Sequence, residues 1–175
     1  MTRAVAFLRG INVGGHVAKK EKIREVFSWL GFSNVISYKQ SGNVVFETES
    51  ADMEMVRAKI EAGLRKALGF DVPVFIRTIS QLKAIVEGNS KEVSEGSSLL
   101  VTLLPIPVGE HALPLPSIIP KSTAEVYSSS GLEFFSLTHG GGKGALPNPF
   151  LESKLKVKAT TRNMNVLREI VERFG

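Results

Sequence analysis

Cysteine is absent from all 175 residues, which removes disulfide frameworks, thiol nucleophiles, Cys-ligated zinc and iron–sulfur clusters from consideration. Histidine is scarce as well. His16, His111 and His139 are scattered and match neither H-x-x-x-H nor H-x-x-E-H, so no histidine metal site is expected. Aspartate occurs only at Asp52 and Asp71, leaving no carboxylate cluster to hold magnesium for phosphoryl transfer. Serine is common, but no G-x-S-x-G nucleophile elbow accompanies it. Long hydrophobic runs are missing too: the apolar start breaks at Arg9, too early for a signal-peptide core or a bilayer span. A cytoplasmic protein without a membrane partner, a metal or a cofactor is the expectation. The 13 aromatics are mostly Phe at core-periodic positions, and no K/R-G-F-G-F-V-x-F run exists, which argues against RNA reading by stacked aromatics.

What remains is an ordinary globular composition. Hydrophobic residues make up 43% and charged residues 22%, which excludes a collagen-like, coiled-coil or largely disordered chain. The length suits one domain or two small ones. Net charge is +5, compatible with a polyanionic partner without requiring one. Residues 1–80 carry 12 Lys and Arg against 8 acids, and residues 140–175 carry seven against three, so two basic regions result.

Residues 4–9 form a short apolar run suited to a buried strand, and Ile23, Val26, Phe27 and Leu30 make a helical stripe ending before Gly31. Residues 35–38 and 44–48 are β-rich and flank Gln40, Ser41, Gly42 and Asn43, a hairpin signature. Met53, Val56, Ile60, Leu64 and Leu68 keep a helical period, with Ser50 or Asp52 as cap and Gly69 as stop. Residues 72–77 complete a βαββαβ order. The expected fold is therefore α+β, with a ferredoxin-like subdomain over residues 1–79 whose antiparallel sheet carries helices on one face.

A second α+β subdomain is expected over residues 80–175. Ser80 is the expected cap of a short helix, and residues 99–104 a strand; five of the eight prolines lie in residues 105–120 and predict a long surface connection. Residues 124–127 and 132–137 read as a hairpin. Asn148 as cap with Pro149 following opens a helix to about residue 156, and Thr160 or Thr161 caps a last helix with Leu167, Ile170, Val171 and Phe174 on its apolar face.

Three polar motifs stand out. Arg9, Gly10, Ile11, Asn12, Val13, Gly14 and Gly15 join the first strand to the first helix, where a Gly-rich loop can bring backbone amides to a phosphate. The spacing matches neither G-x-G-x-x-G nor the Walker loop, so a conformational role competes with anion binding. In βαββαβ topology this loop and the turn at Gln40, Ser41 and Asn43 share one end of the sheet, a composite polar site. The run from His139 through Lys143 to Gly144 resembles a phosphate loop but lacks the following Ser or Thr, and reads better as a glycine linker. At residues 160–165 one threonine suffices as a cap, so Arg162, Asn163 and Asn165 are surplus; with Thr161 they either join the composite site or tie the loop structurally.

Taken in order, Leu8 to Gly15, Tyr38 to Phe46 and Thr160 to Asn165 resemble the family called domain of unknown function 1697 over nearly the whole chain. The resemblance implies a small cytoplasmic bacterial-type α/β protein with a ferredoxin-like first half. It supplies no catalytic residue. The sequence departs from the family pattern at Met164, where Trp is usual, and at Val166, where Thr is usual. Function therefore reads first as non-catalytic binding of a phosphate-bearing ligand, nucleotide or RNA, with Lys19 and Lys20 assisting Arg9 and Arg162. The alternatives are an enzyme on a small anionic substrate, for which no base is visible, and a structural or partner-binding module.

Overall fold

The computed structural model describes residues 1–39, 42–140 and 146–175, and divides into two compact units, Met1–Leu82 and Lys83–Gly175. The first unit runs β1 (Thr2–Leu8), α1 (Lys20–Trp29), β2 (Ser33–Ser37), β3 (Asn43–Thr48), α2 (Met53–Leu68) and β4 (Val74–Thr78). Its sheet has the order β2-β3-β1-β4 with every pair antiparallel, which is the ferredoxin-like arrangement.

Period-2 alternation decides which side chains face the helices. Ala4, Ala6 and Leu8 of β1 lie beside Val44 and Phe46 of β3 and Val74 and Ile76 of β4. Against them pack Ile23, Val26 and Phe27 from α1 and Val56, Ile60 and Leu64 from α2. Phe46 sits edge-on to Phe27, with ring centroids 5.5 Å apart, and 4.9 Å from Phe32. Asp52 caps α2 by accepting the Met55 amide at 3.0 Å, and Gly69, at φ 81°, ends it by donating to Arg65 O. Glu61, two turns into α2, accepts the Val74 amide at 2.9 Å and so holds the start of β4 to the helix layer.

The helix α3 (Ile79–Glu87) follows β4 directly. Its cap is Thr78 rather than Ser80, because Thr78 Oγ1 accepts the Gln81 amide while Gln81 Oε1 accepts the Thr78 amide, a reciprocal capping box. The second unit continues with β5 (Ser98–Leu103), β6 (Ser117–Ile118), β7 (Ala124–Ser129), β8 (Glu133–Thr138), α4 (Pro147–Leu155), β9 (Thr160–Asn163) and α5 (Met164–Phe174). These strands form one antiparallel sheet in the order β6-β7-β8-β5-β9. Leu104, Ile119, Val126, Phe134 and Leu151 are central to the core on one of its faces. The proline-rich segment contributes only the two-residue β6, in keeping with its lack of amide donors.

Two expectations for the second unit need correction. Asn148 does not cap α4. The helix begins two residues earlier, with Pro147 in its first turn and Leu146 before it, while Asn148 Nδ2 donates to Ala159 O at 3.1 Å and its Oδ1 accepts the Thr161 hydroxyl. Nor do Thr160 and Thr161 cap α5. They belong to β9, paired with Leu103 and Thr102 of β5, and the cap falls to Asn163, whose Oδ1 accepts the Asn165 amide at 2.9 Å.

Phe46 is fully buried in the first unit's core, so Phe46→Ala is expected to cost about 3–5 kcal/mol, read from a urea titration. A cost below about 1 kcal/mol would mean that the three-phenylalanine cluster does not carry this core.

Candidate functional site

β1 is the central strand on which the polar connections of the first unit converge. Leu8 N donates to Gly42 O at 2.8 Å and Arg9 N to Pro73 O at 3.0 Å, so the connections β1–α1, β2–β3 and α2–β4 all meet at the sheet end where β1 finishes. Lys20, opening α1, places its Nζ on Lys39 O across the same end. His16 stacks on Phe70 with ring centroids 4.3 Å apart and planes 8° from parallel, fixing the first loop against the third. Arg9, Asn12, Gly14 and Gly15 lie on the first of these connections, and Asn43 ends the second. Gln40 and Ser41 lie outside the described residues, as do Gly141 to Gly144 of the second glycine run.

Within the first loop the glycines have a structural role. Val13 and His16 form a β-bridge, His16 N donates to Val13 O at 3.1 Å, and Gly14 and Gly15 between them have φ of 60° and 87°. Two central residues at positive φ fit the tight turn type that favours glycine. Asn12, itself at φ 59°, accepts the Ala18 amide on its Oδ1 at 3.0 Å and donates its own amide to His16 O. Asn43 is buried and directs Nδ2 to Tyr38 O at 3.4 Å. The two asparagines therefore serve their own backbone. What this end presents outward is basic: half-buried Arg9 and exposed Lys19, Lys20 and Lys39, with Lys19 preceding α1 and making no side-chain cap.

The second polar motif lies in the second unit, on β9 and the start of α5. Thr161 Oγ1 meets Thr102 Oγ1 at 2.7 Å and bonds Asn148, Asn163 caps α5, and Asn165 Oδ1 accepts from Arg168 Nη1 at 3.1 Å. Arg162 is half-buried; its Nη1 donates to Thr160 Oγ1 at 2.7 Å and Thr161 O at 3.0 Å. Loss of solvation lowers its pKa to about 10. Each residue read as surplus in the sequence thus has a local bond. Met164, at the position where the family pattern favours Trp, is fully buried, so its side chain packs rather than offering a surface for stacking.

A second group of cations was not anticipated. Arg168 on α5 donates to Asn165 and, through Nη2, to Asn89 O at 3.2 Å, while Lys91 Nζ stands 4.5 Å from the Tyr127 ring centroid. The Tyr127 hydroxyl is buried without a protein hydrogen-bond partner, and burial pushes its pKa up, partly opposed by the Arg168 charge. The spacing of Asn165 and Arg168, three apart on a helix, was the only sequence signal for this group.

Among the described residues no helix is long and apolar enough to cross a membrane, and no group of three or more His, Asp or Glu could hold a metal ion. The protein is thus of the α+β class with a ferredoxin-like first unit. A family model described as protein of unknown function (DUF1697) matches residues 1–128, and the chain belongs to that family. Among solved structures, the conserved bacterial protein SP0830 from Streptococcus pneumoniae is similar, with a TM-score of 0.74 at 20% identity over 98% of this chain and 97% of that one. That likeness is one of fold. Comparison with curated proteins gives no match.

Removing the Arg162 side chain leaves the buried Thr160 hydroxyl without that donor, so Arg162→Ala is expected to lose roughly 1–3 kcal/mol of stability in thermal or denaturant unfolding. An unchanged melting temperature would instead free this guanidinium for a ligand.

Proposed function

We propose that the protein binds, without catalysis, a phosphate-bearing ligand at the basic end of the first unit. The observation that carries the proposal is the gathering of Arg9, Lys19, Lys20 and Lys39 by two connections that the β1–β3 register holds side by side. Charges on separate loops of one sheet end add up to a positive surface suited to a polyanion, and the α1 N-terminus adds partial positive charge at the same end. The glycine turn shapes the end without supplying the recognition. Non-catalytic binding suits a site in which Asn12 and Asn43 are tied to backbone and the side chains presented outward are mostly cations.

For Thr161, Arg162, Asn163 and Asn165 the structural alternative is favoured, because each is already engaged by β9, α4 or α5. The first-unit cations carry the proposed binding alone.

Binding of a mixed-sequence single-stranded RNA, followed by fluorescence anisotropy, is expected to weaken with salt at a log–log slope of about 0.7 per phosphate neutralised. Lys19→Ala with Lys20→Ala should lower that slope by up to about 1.4. Mononucleotides in a thermal-shift series test the smaller ligand. No binding of either at roughly 50 mM salt would overturn the proposal.

A further inference from the structure

At the basic end of the first unit Phe70 covers one side of the His16 imidazole, with ring centroids 4.3 Å apart and planes 8° from parallel, while His16 as a whole stays exposed. Phe70 in turn packs against the core of that unit, so the pair is backed by the buried layer. The main chain at His16 is fixed as well: its N–H donates to Val13 O at 3.1 Å, and its carbonyl accepts the Asn12 amide at 2.7 Å. A ring held from below and along its backbone has little freedom left to lose when a ligand settles on it. Among the described residues its two nitrogens make no hydrogen bond, so the edge of the ring is unused by the fold. Histidine is not counted among the Phe, Tyr and Trp residues, most of them Phe, and so the sequence hides this ring.

We propose that a base of a single-stranded nucleic acid stacks on the side of His16 turned away from Phe70, extending the pair to a three-layer stack. The proposal rests on the phosphate-binding reading of this end and narrows it from any phosphate-bearing ligand to a strand that carries bases. Lys19 and Lys20 follow His16 by three and four residues, and Lys20 bonds Lys39 O, so cations for the flanking phosphates stand on both connections at this end. Histidine is one of the side chains on which unstacked bases settle, and stacking accepts any base because each has a π-face. Trp29 is another exposed ring of this unit. It is 67% exposed, but Lys66 Nζ stands 5.0 Å from its ring centroid, and it lies nine residues along α1 from Lys20, about 14 Å at 1.5 Å per residue. It serves as the control.

Two strands of equal length separate the stacked base from the phosphates: a mixed-sequence single-stranded RNA and its abasic counterpart, each followed by fluorescence anisotropy in the same buffer. The unaltered protein is expected to bind the base-bearing strand at least about fivefold more tightly, the lower bound for one stacked base. His16→Ala should bring the two affinities together by weakening the base-bearing strand. His16→Tyr, which restores a stacking ring, should recover the preference, and Trp29→Ala should leave it intact. If His16 only holds the loop, His16→Ala weakens both strands alike and their ratio does not move, which overturns the proposal. Equal affinity of the unaltered protein for the two strands, or a preference lost in Trp29→Ala, overturns it as well, while phosphate binding at this end stands. Failure of both strands to bind overturns the two readings together.

Discussion

Everything proposed for the first unit depends on the hydrogen-bonded register of β1. The strand is paired on both edges, with β3 through Phe7 and Asn43 and with β4 through Leu8 and Val74. A strand in that position cannot slip by one residue without turning Ala4, Ala6 and Leu8 out of the core, so its last residue is a fixed point. Leu8 N and Arg9 N then reach Gly42 O and Pro73 O, and three connections are pinned together. Burial supplies the force: each large core side chain contributes about 1.5–3 kcal/mol, far more than the exposed loops could supply for themselves. The loops inherit their position from the sheet and are free to carry charge.

The same economy explains why the polar motifs divide into two kinds. Asn12, Asn43, Asn148, Asn163 and Thr161 all close local backbone or side-chain bonds, so their chemistry is spent on shape. Cations are treated differently. Exposed Arg3 and half-buried Arg57 have acidic partners, whereas Arg162 and Arg168 donate to neutral oxygens.

The first unit was legible because its signals are strong and local. The apolar run of β1, the β-rich stretch of β3, the 3.6-residue stripes of α1 and α2, and Gly69 as a stop are all seen in the structure. The second unit hid its fifth strand. Thr160 to Asn163 is short and polar, without alternation, and becomes a strand only because β5 offers it a partner, a long-range fact that no local pattern encodes. The helix caps were misplaced for a related reason: Thr161 and Asn148 satisfy each other, leaving Asn163 to cap α5, and Gln81 makes Thr78 a better cap than Ser80. Of the two roles open to Gly14 and Gly15, the structure shows a tight turn, while the basic character of that end rests partly on Lys39, whose place within the Tyr38 to Phe46 motif says nothing of its side chain's surroundings. The cluster of Arg168, Lys91 and Tyr127 was beyond reach, since it joins three elements distant in sequence.

The central claim is that the end of the sheet where β1 finishes is a phosphate-binding surface. Mapping amide shifts across the whole protein during titration with a short single-stranded RNA tests it most directly. The account predicts that the perturbed amides cluster in residues 9–20 and at Lys39, Gly42 and Asn43, while amides at the far end of the same sheet, around Thr2 and Thr48, stay in place. Perturbations centred at that far end, or none at all, would contradict it.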